Sequence, residues 1–149
     1  MKPLPVLPVL FAMFCAVLPA PTLAADADPR QFVEMAPAAR ATLRAEMLDN
    51  QLALHQIIGA LAEGKYAAAA DIAEQELGIG AMGKHRQLPA NARPGMFMPD
   101  EMHALGRASH VAASDFAKLA RTGDPATALT ALQGITGACV ACHRSYRTQ

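Results

Sequence analysis

The sequence predicts an all-α fold, an antiparallel four-helix bundle. Three observations carry it. The chain is rich in alanine, with only 5% aromatic residues and no tryptophan, which favours packed helices over a sheet. Two long stretches place apolar residues at alternating spacings of three and four, the period of one helix face. Glycine and proline punctuate the chain where those stretches end. At 149 residues there is room for one domain.

The N-terminal stretch predicts a secretory signal over residues 1–24. Lys2 gives a weak positive start, an apolar run follows over 4–18, and small residues surround a cut after Ala24. A membrane anchor is the weaker reading, because the run is short of the roughly 20 residues a spanning helix needs and contains Pro5 and Pro8. Bulky Phe14 argues against a lipid anchor at Cys15. Removing Lys2 takes Lys+Arg from 13 to 12 against 13 acids, a net of −1. That balance leaves no electrostatic footprint for nucleic acid or for an anionic membrane surface. The remaining 25–149 form the expected domain, opening on a polar, irregular stretch to about Pro37.

The first helix is expected over 38–61. Leu43, Met47, Asn50, Leu54, Ile57 and Leu61 share one face, and Gly64 ends it. The second, over 66–77, is mostly alanine and stops at Gly78. A long connection then runs over 78–99, a length that implies a purpose. The third helix opens at Pro99-Asp100-Glu101, residue types suited to a first turn. Its stripe is Met102, Leu105, Ser109, Ala112, Phe116 and Leu119. The fourth is capped by Asp124 with Pro125 behind it and is expected to run to about Arg147. Gly134 and Gly137 leave room for a break before Cys139.

The strongest motif is Cys139-Val140-Ala141-Cys142-His143. Two thiols one turn apart, followed by an imidazole, suit a covalently attached haem, with Cys139 and Cys142 forming thioethers and His143 ligating iron. Competing readings are weaker. A zinc site needs four ligands, and His55, His85, His103 and His110 are scattered. A redox dithiol belongs beside a βαβ unit that is missing. A disulfide this short would close a very small loop and add little stability.

A helical body ending in C-x-x-C-H-x-x-[YF]-[RK], with Tyr146 and Arg147 in the last two positions, resembles the cytochrome c′ family and its low-spin relatives. The resemblance implies a four-helix bundle with one haem c near its end. It implies that Cys139 and Cys142 carry the group, that His143 is the fifth ligand, and that Arg147 is the family's basic residue beside it. Arg147 falls four residues after His143 and so is expected on the same helix face. Tyr146 either packs against the ring or joins the core.

In the low-spin relatives a first-helix methionine is the sixth ligand, which points to Met47. A thioether suits haem iron and raises its potential, although methionine in a helix core is often filler. If Met47 only packs, Leu48 could block the distal face. Asn50 either faces the pocket or lies at an open end. Met96, Met98 and Met102 are further candidates from the loop and third helix. His55, His103 and His110 read as surface groups.

Two functions follow, both without catalysis of substrate chemistry. The first is periplasmic one-electron transfer with a redox partner protein, since covalent haem attachment occurs outside the bacterial cytoplasm. The second is a five-coordinate haem binding a diatomic gas, nitric oxide or carbon monoxide. A non-haem metal-binding bundle is the third reading. The resemblance also leaves a homodimer open, because members often pair through their first two helices.

Overall fold

The structure is a computed structural model that describes residues 28–149; the expected signal segment lies outside them. Four helices follow in antiparallel order: α1, Pro37–Ala62; α2, Tyr66–Ile72; α3, Asp100–Ala120; and α4, Pro125–Ser145. The all-α bundle matches the expectation.

Each boundary has a local cause. Pro37 opens α1, where its missing N–H costs nothing. The exit is a Schellman turn: Lys65 N–H donates to Ala60 O at 2.8 Å and Gly64 N–H to Leu61 O at 3.0 Å. Gly64 sits at φ 71°, in the left-handed region that the turn requires. The second helix keeps its expected span but changes winding, with α2 passing at Ala73–Leu77 into a π-helical turn before Gly78. Asp124 caps α4 by accepting from Thr127 N–H at 2.8 Å, with Pro125 at the first position. This bond holds the Asp124 carboxyl below its ordinary value of 3.8.

The capping carboxylate therefore stabilises the fold above the unfolded pKa, and that contribution fades as pH falls through the lower folded value. An Asp124→Ala change is expected to lower Tm by about 4 °C at neutral pH. The gap should narrow in calorimetric scans as pH falls below the ordinary aspartate value of 3.8.

Helix α4 runs unbroken through Gly134 and Gly137. A Cβ on Gly134 would meet the Ala112 methyl at 3.6 Å, so α3 and α4 lie close here. The end of α4 differs from expectation. It stops at Ser145, and Tyr146 turns extended at φ −129°, ψ 152°. Tyr146–Arg147 form a short strand, β2, parallel to β1 at Gln31–Phe32. Val33 N–H donates to Arg147 O at 2.8 Å to continue it. The stretch before α1 is therefore ordered, and it inserts Val33 and Met35 into the interior.

The interior forms two clusters. The larger holds Ala53, Ile57, Ala69, Ala70, Ala73, Leu77, Ala113, Phe116, Ala117, Ala120, Ala128 and Ile135. Small residues let the helices approach, and Phe116 and Ile57 are the largest fully buried side chains among the described residues. On α3 the buried face is rotated from the expected stripe, with Ala120 inside and Leu119 exposed. The smaller cluster joins Val33, Met35, Ala39 and Met102 to Leu43, Phe97, Met98, Cys142 and Tyr146.

The long connection is short helical turns, at Ile79–Ala81, Ala90–Ala92 and Pro94–Met96. It is pinned to α3 and α1. His110 Nδ1–H donates to Leu77 O at 2.8 Å and His103 Nε2–H to Gly95 O at 2.6 Å. Ile79 N–H donates to Ser114 Oγ at 2.9 Å. On the α1 side, Lys84 pairs with Asp49 at 3.3 Å and His85 with Glu46 at 3.1 Å. His103 and His110 are thus half-buried fasteners, not the solvated groups expected from sequence.

Candidate haem site

Cys139 and Cys142 stand one turn apart near the end of α4, and both are free thiols. Cys139 is exposed, Cys142 is half-buried against the smaller cluster, and His143 is exposed. Desolvation pushes both thiol pKa values up, and the neighbouring Cys139 adds to the rise at Cys142. Among the described residues no cluster of three or more His, Cys, Asp or Glu side chains is placed to hold a metal ion. That separates the cysteines from the scattered histidines.

The interior is interrupted at the level of the motif. Along α1 the buried residues run from Ala39 to Ala53, with Met47 and Asn50 between them only half-buried. Along α3 they run from Met102 to Ala113, with Leu105 and Ser109 half-buried between. Along α4 the gap falls between Ile135 and Cys142 and contains Cys139. Helices α3 and α4 pack extensively, whereas α1 and α4 scarcely approach. Protein interiors are normally filled to crystal density. An apolar macrocycle tethered at Cys139 and Cys142 would fill this break, so the residues present fit a haem.

Helix register shows what faces the thiols. Ile58, Leu61 and Ala62 of α1 share an apolar groove of about 240 Å³ with Pro125, Leu129 and Leu132 of α4. Extending those flanks at helical spacing gives Ile58, Leu54, Gln51, Met47, Arg44 and Arg40 on α1. On α4 it gives Leu129, Leu132, Thr136, Cys139 and His143. Met47 lies 11 residues from Ile58, and Val140 lies 11 residues from Leu129. At 1.5 Å per residue both are about 16 Å from the groove. The helices are antiparallel, so Met47 stands level with the cysteine pair across the cleft.

The other candidates separate clearly. Leu48 is 66% exposed on α1. Met96 is 61% exposed. Met98 and Met102 pack in the cluster that includes Cys142. His55 is exposed, as expected. Arg147 does not ride the His143 helix face, because the helix has already ended. It lies in β2 with its guanidinium 5.0 Å from the Phe32 ring centre and 3.7 Å from the Asp28 carboxylate. Its buried Nε has no hydrogen-bond partner.

Sequence reasoning missed two contributions. Met35 reaches the Cys142 cluster from outside any helix, and no periodicity marks it. Glu46, beside Met47, is half-buried. Desolvation pushes its pKa up, opposed chiefly by His85 and Lys84. No spacing in the sequence marks it.

A four-helix bundle with a C-x-x-C-H motif in the last turns of its final helix defines a helical-bundle haem protein of the c type. Residues 43–147 match the family model described as Cytochrome C'. The chain belongs to the cytochrome c′ family, whose members carry covalently bound haem c and serve in electron transfer or gas binding. Met47, Cys139, Cys142, His143 and Arg147 all fall within the matched residues. No curated protein and no solved structure matches the chain.

Proposed function

We propose that the protein is a periplasmic, monohaem electron carrier and not an enzyme. One haem is attached through thioethers to Cys139 and Cys142, with His143 and Met47 as axial ligands. The haem, when bound, supplies a one-electron iron couple. The protein residues fix where that couple sits: the thiols tether it to α4, His143 holds one face, and Met47 approaches from α1. The placement of Met47 level with the cysteines, on the flank facing α4, carries this reading. A thioether ligand raises the potential and leaves no open coordination position.

Arg147 is placed for a supporting role. Its Nε makes no hydrogen bond and stands 3.7 Å from the Asp28 carboxylate, so a haem propionate would compete with Asp28 for it.

The test is an absorption spectrum of protein purified from a host competent for cytochrome maturation. Low-spin bands, a methionine-to-iron charge-transfer band and slow, weak carbon monoxide binding are expected. A high-spin spectrum with ready gas binding would make the protein a gas-binding member of its family instead.

A further inference from the structure

The chain is neutral overall but not uniformly so. Residues 28–50, 82–109 and 137–149, which build the motif end of the bundle, carry nine Lys or Arg and six Asp or Glu. The remaining described residues carry three and six. The bundle is polarised along its axis, positive where the haem motif lies.

The asymmetry is concentrated at the mouth of the α1–α4 cleft. The helix register places Arg44 level with His143, with Arg40 one turn further toward the open end. Arg144 is exposed beside His143, and Arg44 is exposed on α1. Arg30 reaches across, its Nη1 donating to His143 O at 3.5 Å. Asp28 neutralises part of this charge, with Arg30 bonded to it and holding its carboxyl down at about 2. Arg40, Arg44 and Arg144 have no ion-pair partner among the described residues. Val140, 54% exposed on the turn between the two cysteines, adds an apolar point inside the ring. An apolar centre with a charged rim is the anatomy of a transient protein interface.

We propose that this arginine-rimmed mouth is the docking surface for a redox partner whose own electron-exchange face is acidic. The proposal rests on the electron-carrier reading. Charge complementarity steers encounter and orientation more than it adds affinity. Here it would bring the partner to the cleft where the haem edge is nearest, and turn the acidic far end away. Two haem propionates would offset part of the positive rim but not all of it.

Small redox reagents probe the local field directly. The haem-loaded protein is oxidised in stopped flow by hexacyanoferrate(III), an anion. Each event moves one electron from ferrous haem to the reagent, giving ferric haem and hexacyanoferrate(II). In the reverse direction, ferric haem is reduced by hexaammineruthenium(II), a cation. Salt screens local charge over about 10 Å at 0.1 M. The hexacyanoferrate rate constant is expected to fall at least about threefold from low to high ionic strength, and the ruthenium rate constant to rise. An Arg44→Glu/Arg144→Glu variant should flatten or invert both slopes. A far-end Glu76→Lys change should leave them as they were.

Haem bands with no salt dependence overturn the surface and leave the carrier reading standing. A chain without haem bands overturns the carrier reading, and the surface with it. Wild-type protein that co-sediments with phosphatidylglycerol vesicles, and loses this in the Arg44→Glu/Arg144→Glu variant, reassigns the rim to a membrane and overturns the proposal.

Discussion

A Cys139→Ala/Cys142→Ala variant is expected to be colourless and to melt without a sharp transition. The reason lies in the packing. The two interior clusters are separated at the level of the motif, and few large side chains are fully buried. Alanine faces let the helices approach within the larger cluster, but they bury little area each. Burial stabilises by about 25 cal/mol per Å² of apolar surface. A few hundred Å² of helix surface left wet in the cleft is then comparable with the 5–15 kcal/mol margin of a typical domain. Helical content measured by circular dichroism should decline broadly on heating, while the haem-loaded protein melts sharply. A haem-free variant with the same sharp transition would mean that the polypeptide core suffices by itself.

Replacing Met47 with alanine is expected to convert a low-spin haem into one with an open position. The charge-transfer band should disappear, the potential should fall, and carbon monoxide affinity should rise by more than tenfold. Packing loss is a lesser effect. The side chain is half-buried, so truncation costs about 2 kcal/mol or less. A Met102→Ala control separates ligation from packing, because Met102 is buried in the cluster that includes Cys142. If Met47→Ala leaves the ligand field intact and Met102→Ala destroys it, the sixth ligand comes from α3. If neither changes it, ligation by both methionines is ruled out.

The helices and the motif were readable because both are local. Leu43, Ile57, Met102 and Phe116 announce their faces by spacing, and Asp124-Pro125 announces a helix start. The C-x-x-C-H run carries its chemistry in five adjacent residues. What escaped the sequence is set by long-range pairing. Nothing local tells Arg147 to leave the helix; it does so because Tyr146–Arg147 pair with Gln31–Phe32 at the other end of the chain. The same pairing buries Val33 and Met35 in a stretch that reads as irregular. His103 and His110 look like surface residues on α3 until the connection from Leu77 to Gly95 folds back to supply their carbonyl partners. The rotation of the α3 face is also tertiary: alanines at 113, 117 and 120 fit against the neighbouring helices where Leu119 would not. Neutral overall charge hid the polarity of the bundle, which appears only when the ends of distant segments are brought together.

The most direct test of the central claim is the mass of the denatured chain purified from a maturation-competent host. Attachment through Cys139 and Cys142 predicts a polypeptide heavier by one haem, with the added mass retained in acid and organic solvent and located on the peptide that contains both cysteines. A chain of bare polypeptide mass, or a haem that separates on denaturation, would contradict it.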